Sequence, residues 1–303
     1  MFVKIKFSPE VQEAIASGTA VVALESTVIA HGLPHPDNIK TALRCEESVR
    51  ESGAVPATIA IIGGEFRVGL SQDEIEFLAS GADIRKASTR DLPIAVANNL
   101  DCATTVSTTA FIAHRAGIRV FATGGVGGVH RGYAADISAD LPTLAETPIV
   151  VVCSGAKMIL DIAATREWLE THGVAVLGWQ CDEMPAFYSR SSGLNADHRV
   201  DSASDAALVA AARDALGMRQ ATLLTVPVPK EFELPRDEME SIIGAAIAGV
   251  GRQGISGKDV TPFLLSELTK ASGGRTLKAN IALLENNARV AGLVAVQIAN
   301  RTT

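Results

Sequence analysis

Two hydropathy patterns alternate along the chain. Short apolar runs rich in β-branched residues occupy positions 20–24, 58–62, 120–122, 149–152, 174–179 and 221–226. Runs of this kind read as buried strands. Between them lie stretches in which apolar residues recur at helical spacing, and their ends carry helix signals. Ser8-Pro9-Glu10 opens a helix that closes at Ser17-Gly18, and Asp37 caps one that runs to about Glu51. Ser71-Gln72-Asp73-Glu74 is a capping box for a helix ending near Ser80-Gly81. Further helices are predicted over 107–116, 204–216, 236–250 and 277–300, and another is capped by Thr261 with Pro262 in its first position. Gly63-Gly64 folds the strand at 58–62 into a hairpin with 66–70; residues 94–99 read as helix or loop, and 180–201 as irregular. Repetition of strand, glycine turn and helix predicts an α/β fold, with α/β/α layers around a mostly parallel central sheet. Nothing in the composition divides the chain, so residues 1–303 are expected to form a single domain.

One stretch stands out, Thr147 to Asp161. An apolar run predicts a strand, Cys153-Ser154-Gly155-Ala156 a tight turn, and Met158, Ile159, Ile162 and Leu169 the apolar face of a helix that stops at His172-Gly173. Lys157 is thereby expected in the first turn of that helix, at the C-terminal end of a strand. The positive end of a helix disfavours a cation and would lower the pKa of an amine, as a nucleophilic lysine requires. A solvated lysine, or one assisting a phosphate at the helix N-terminus, fits the same position.

Charge and composition narrow the partners. The 303 residues carry 27 Lys and Arg against 34 Asp and Glu, a net charge of −7, which disfavours a general nucleic-acid surface. An anionic ligand needs a local basic pocket, for which Lys86, Arg90 and Arg131 are candidates. No apolar segment reaches membrane-spanning length, and Met-Phe-Val-Lys-Ile-Lys lacks the apolar region of a signal peptide, so a cytoplasmic protein is expected. Cys45, Cys102, Cys153 and Cys181 are scattered, mostly beside apolar runs, as reduced core residues are.

In open parallel sheets, ligands bind beyond the carboxyl ends of strands. Glu25, Thr104-Thr105, Thr123 to Arg131 and Ser154 to Lys157 all fall there. Buried at a strand end, Glu25 would have a raised pKa suited to acid–base work; capping a helix or pairing with an arginine is the alternative. Thr123-Gly124-Gly125-Val126-Gly127-Gly128-Val129-His130-Arg131-Gly132 offers backbone N–H groups to an anion but matches neither the Walker loop nor the dinucleotide fingerprint. Asp136 and Asp140 are possible oxygen ligands for Mg²⁺ or Mn²⁺, or simply caps and surface charges. His31 and His35 are separated by Gly32 and Pro34, which argues against a zinc pair; His130, beside the glycines, is the better candidate for substrate contact.

These motifs resemble the pseudouridine-5′-phosphate glycosidase family, which also contains the indigoidine-operon protein. The resemblance is carried by Ala23-Leu24-Glu25-Ser26-Thr27-Val28-Ile29-Ala30-His31-Gly32-Leu33-Pro34, Arg90-Asp91-Leu92-Pro93 and the glycine-rich run at 121–132. It continues in Asp136-Ile137-Ser138-Ala139-Asp140-Leu141, Ser154-Gly155-Ala156-Lys157, Pro185-Ala186-Phe187-Tyr188, residues 257–265, Asn280-Ile281-Ala282-Leu283 and Asn286-Asn287-Ala288. It implies a lyase that reversibly cleaves pseudouridine 5′-phosphate to ribose 5-phosphate and uracil, with Mn²⁺, in a homotrimer. By motif, Lys157 would be the Schiff-base nucleophile and Glu25 the proton donor. Lys86, Val106, Ser138, Ala139 and Asp140 would line the substrate site, with His130 and Asn280 as further polar contacts. Asp136 would hold the metal, with Asp140 as the alternative. The family usually has Asn-Pro-Ile-Pro where this chain has Val226-Pro227-Val228-Pro229, which removes one amide. A different Schiff-base enzyme on a phosphosugar, such as an aldolase, and a non-catalytic phosphosugar-binding protein are the competing expectations.

Overall fold

The computed structural model describes residues 4–81, 83–132, 135–253 and 260–301. Its main sheet runs in the order Ile5–Phe7, Glu65–Val68, Val55–Ile62, Val21–Leu24, Val120–Ala122, Val150–Cys153, Thr222–Thr225, Ala175–Trp179 and His198–Val200. From Val21–Leu24 to His198–Val200 every neighbouring pair is parallel. Side chains alternate between the faces as the strand period of two requires. Val22, Leu24, Val120, Ala122, Val150, Val152 and Leu224 face one core, closed by the helices Asp37–Glu51, Ala203–Ala215, Arg236–Gln253 and Arg275–Ala299. Val21, Ala23, Phe121, Val151, Cys153 and Leu223 face the other, closed by Pro9–Ser17, Val106–Arg115, Asp140–Glu146 and Ile162–Thr171. This is the expected α/β/α arrangement around a mostly parallel sheet.

One strand changes partners halfway along. Val55 to Thr58 pairs in parallel with Val21–Leu24. Beyond it, Ala60 and Ile61 pair antiparallel with Ala103 and Cys102 of Cys102–Thr104, which in turn carries Arg85–Ala87. The chain leaving Leu24 therefore departs from the sheet at a split, and Glu25 is the first residue there. Hydroxyls seal the split: Thr104 Oγ1 donates to the Ile59 carbonyl, Thr27 Oγ1 to the Thr104 carbonyl, and the Thr104 N–H to Ser26 Oγ.

Several local expectations change. Lys157 is not in a helix. Gly155 is left-handed (φ +82°), Ala156 bridges to Val126, and Leu160–Asp161 pairs with Val129–His130, so the helix begins only at Ile162, where the Asp161 carboxylate accepts from the Ala164 N–H. An added Cβ on Gly155 would lie 2.1 Å from the Pro185 carbonyl oxygen, so the turn is shaped by tertiary contact. Asp37 is the first residue of its helix and makes no capping bond. The strand read over 58–62 starts at Val55 and takes in Pro56, which is tolerated because that half of the strand has one ladder neighbour. His198–Val200 forms a strand inside the region read as irregular. The helix expected to be capped by Thr261 already starts at Val260. Gly257-Lys258-Asp259, part of the family resemblance, lies outside the described residues.

Candidate active site

The carboxyl ends of Val21–Leu24, Val120–Ala122 and Val150–Cys153 deliver Glu25, the glycine-rich loop and Ser154 to Lys157 into one cleft with two chambers. Glu25, Thr27, Lys86 and Lys157 line both. The larger chamber, about 350 Å³, mixes polar and apolar walls; Ser88, Arg90, Thr105, Val106, Gly127, His130, Asp136, Ser138, Ala139 and Asp140 complete it with Ile137, Ile159 and Leu160. The smaller, about 50 Å³, is lined by Val28, His31, Phe187, Leu265, Asn280 and Leu284, with Gly32, Gly124 and Gly125. All ten residues named from the sequence for the site thus line this cleft. Arg131 does not. Its guanidinium makes a bidentate pair with Glu240 (2.6 and 2.9 Å) and donates to the Met158 and Leu160 carbonyls, which braces the turn after Lys157 from behind.

Burial dominates the electrostatics at Glu25 and pushes its carboxyl above the ordinary carboxylate range. The Lys157 ammonium opposes that shift, as do the Thr123 hydroxyl, which donates to Glu25 Oε1, and Lys86, while Asp140 adds to it. A carboxyl whose pKa is raised holds its proton to higher pH and is the better placed to donate it. Thr123 received no individual role from the sequence. A hydroxyl on the first residue after the strand Val120–Ala122, level with Glu25 at the adjacent strand end, was the available signal. Cys153, just below the lysine turn, is buried and its thiol is pushed up to about 12, so it stays protonated and inert.

The two aspartates have different surroundings. Asp140 is 5% exposed, and its oxygens accept the Ser107 N–H at 2.9 Å and the Gly127 N–H at 2.8 Å. It thereby ties the start of the helix Val106–Arg115 to the glycine-rich loop, where a carboxylate also suits the helix dipole. Gly127 is needed for that approach: a Cβ there would come within 2.2 Å of Ser138 Oγ and 2.7 Å of Asp140 Oδ2. The Asp136 side chain is 60% exposed and lies 3.6 Å from His130 Nδ1. Among the described residues no three His, Cys, Asp or Glu side chains converge as a metal cage. One carboxylate completed by water and a bound anion is a donor set that suits a hard divalent cation such as Mg²⁺ or Mn²⁺. Asp136 is the carboxylate available for that. No helix among the described residues is long and apolar enough to cross a membrane.

The profile of the family described as "Indigoidine synthase A like protein" matches residues 10–297. A relative named pseudouridine-5′-phosphate glycosidase from Caldanaerobacter subterraneus subsp. tengcongensis is 52% identical, covering 97% of this chain and 96% of its own. Another of that name from Myxococcus xanthus is also 52% identical, covering 97% and 98%. Among solved structures, an indigoidine synthase A-like protein from Thermotoga maritima superposes with a TM-score of 0.90 at 38% identity, covering 98% of this chain and 97% of that one. The prealnumycin C-glycosynthase AlnA, in complex with ribulose 5-phosphate, superposes with a TM-score of 0.91 at 40% identity, covering 100% and 99%.

Proposed function

The chain belongs to the indigoidine synthase A-like family, and on that footing we propose that it is a pseudouridine-5′-phosphate glycosidase working through a Schiff base on Lys157. The observation that carries this reading is the joint lining of both chambers by Glu25, Lys86 and Lys157. The bond to be broken joins C1′ of ribose to C5 of uracil. There is no leaving nitrogen or oxygen to protonate, so the two-carboxylate chemistry of ordinary glycosidases does not apply.

In the synthetic direction, the neutral Lys157 amine adds to the C1′ aldehyde of open-chain ribose 5-phosphate, Glu25 gives up its proton and water leaves, so that a protonated imine faces an ionised Glu25. C5 of uracil attacks that carbon, and the C–C bond forms as the imine takes up the electron pair. The C5 proton passes to Glu25. The sugar 4-hydroxyl oxygen then bonds to C1′ and closes the ring as its proton passes to the lysine nitrogen, which leaves as the free amine. The sum is ribose 5-phosphate plus uracil to pseudouridine 5′-phosphate plus water. Cleavage is the reverse, with Glu25 returning the proton to C5. Lys86 and Arg90, with the Ser88 and Thr105 hydroxyls, make the larger chamber suited to the phosphate end of the substrate. The smaller chamber, with the Phe187 ring beside Asn280 and His31, suits a planar base with polar edges. Asp136 would hold the divalent cation, with Asp140 kept as a loop tie. Bound there, Mn²⁺ would supply positive charge against the substrate's anionic groups.

The test mixes uracil and ribose 5-phosphate with Mn²⁺ and follows pseudouridine 5′-phosphate by mass and ultraviolet absorbance. Product is expected. Borohydride added with ribose 5-phosphate alone should label Lys157, and Lys157→Ala should abolish turnover without loss of fold. No product at saturating substrate, an adduct on another lysine, or near-normal turnover of the alanine variant would each defeat the proposal.

A further inference from the structure

Asn287 lies in the middle of the long helix Arg275–Ala299 and is fully buried, at 0% exposure. A buried primary amide has to satisfy its donors and its acceptor within the protein. Asn287 does so on two loops at the edge of the cleft. Its Nδ2 donates to the Thr123 carbonyl at 2.9 Å and to the Gly124 carbonyl at 3.3 Å. The amide also meets the buried Ser154 hydroxyl, 3.1 Å from Nδ2 and 3.3 Å from Oδ1. The first loop leaves the strand Val120–Ala122 and carries Thr123, whose hydroxyl donates to Glu25. The second leaves the adjacent parallel strand Val150–Cys153 and runs from Ser154 to Lys157.

We propose that Asn287 is a positioning residue that fixes how Glu25 and Lys157 stand relative to each other. This deepens the reading of the reaction given above and rests on it, since a lysine at C1′ and a carboxyl at C5 must reach two neighbouring atoms at once. Backbone bonds already zip the loops together: Ser154 N–H to the Gly124 carbonyl at 2.8 Å, Val126 N–H to the Gly155 carbonyl at 3.1 Å and Lys157 N–H to the Val126 carbonyl at 3.1 Å. The amide adds the remaining constraint, because it grips the peptide groups on either side of Gly124 and the Ser154 side chain that opens the second loop. The helix is pressed directly on this point. A Cβ on Gly124 would lie 3.2 Å from Leu284, 3.3 Å from Leu283 and 3.5 Å from Asn280 Oδ1. Asn280, two turns before Asn287 on the same helix face, lines the smaller chamber. The helix thus registers both loops and the chamber wall from one surface.

The experiment compares wild-type protein with Asn287→Ala, Asn287→Asp and Ser154→Ala, each assayed well below its measured melting temperature. Asp keeps the shape and lacks the N–H donors, and Ser154→Ala removes only one arm of the tie, so a folded variant is available even where Asn287→Ala is unstable. A small displacement of reacting groups is expected to lower kcat by about 10- to 100-fold, with KM for ribose 5-phosphate within about threefold, since the phosphate-binding groups are elsewhere. The acid–base limb of the pH–rate profile should move to higher pH, because slackening Thr123 removes a hydrogen bond that favours ionised Glu25. Asn287→Ala combined with Thr123→Val should cost less than the two single losses multiplied, as residues acting through one group do. A kcat within twofold of wild type, a loss that follows melting temperature with an unmoved pH profile, or a fully multiplicative double variant overturns the proposal. Absence of wild-type turnover would instead overturn the reaction. The tie would then be judged by peptide-mapped labelling of Lys157 with pyridoxal 5′-phosphate and borohydride: a rate changed at least threefold in the Asn287 variants supports it, and an unchanged rate refutes it.

Discussion

Glu25 is where stability and chemistry oppose each other. Its folded-state pKa is raised by burial. Between the ordinary carboxylate pKa and that raised value the native state binds more protons than the unfolded one, so stability from this group is present at low pH and is lost as pH rises through the folded pKa. Glu25→Gln removes the buried ionisation. The variant should lose turnover and melt higher than wild type, with the difference larger at pH 8 than at pH 5; an equal difference at both would show that burial is not what raises the carboxyl. The two aspartates separate in the same way. Asp136→Asn should abolish the response of chelator-treated protein to added Mn²⁺ while leaving melting unchanged, because that side chain is exposed. Asp140→Asn replaces an acceptor by a donor facing a backbone N–H and should destabilise the fold by about 1–3 kcal/mol, read by urea titration. The sequence supplied both aspartates as candidates; burial and hydrogen bonding separate them.

Among the elements, the turn from Ser154 to Asp161 was the least legible. Its apolar residues have helical spacing, and Met158, Ile159 and Leu160 are indeed buried. Their side chains join the core cluster that includes Phe187 and Tyr188, while the turn's path is set by a bridge to the glycine-rich loop, by Arg131 and by the Pro185 carbonyl against Gly155, contacts distant in sequence that override local periodicity. The strand before the turn and the helix end after it were legible because an apolar run and a glycine stop are local signals. Lys157 stands at no helix N-terminus; it opens a turn closed by the Leu160 N–H donating to the Lys157 carbonyl at 2.9 Å, and its charge acts on the buried carboxyl of Glu25. Two substitutions probe the element. Gly155→Ala places a Cβ at φ +82° against the Pro185 carbonyl and should destabilise the protein by at least about 2 kcal/mol. Arg131→Gln, which leaves the Met158 and Leu160 carbonyls and Glu240 without their cation, should lower kcat at least tenfold and cost about 1–2 kcal/mol. Unchanged kcat in that variant would mean that the turn holds its shape unaided.

For the whole molecule, the cleft exists because the sheet divides. Where Val21–Leu24 ends, Cys102–Thr104 takes its place beside the long strand, and that short strand brings Arg85–Ala87, with Lys86, and the start of the helix Val106–Arg115. Five separate strand ends then meet at one opening. A ligand that bridges them should stabilise the fold by mass action, by about 2.7 kcal/mol at a hundredfold excess over Kd. Ribose 5-phosphate is therefore expected to raise the melting temperature, and Lys86→Ala to remove most of that rise. No shift in wild-type protein would argue against the cleft as a sugar-phosphate site.

The sequence by itself determined the layers, because strand and helix periodicities are local and each apolar run read as a strand became one. It also supplied the candidates for the chemistry, since Glu25, Asp136 and Lys157 stand in runs that carry the family resemblance and Lys86 just ahead of one. Only the tertiary structure decided how they stand. The partner change of the strand Val55–Ile62, the non-helical lysine turn, the difference between Asp136 and Asp140, and the diversion of Arg131 to Glu240 all rest on contacts between segments far apart in the chain. Periodicity reports which face of an element is apolar. It carries no record of which distant carbonyl or carboxylate will lie against that face, and at this cleft those distant groups set the geometry.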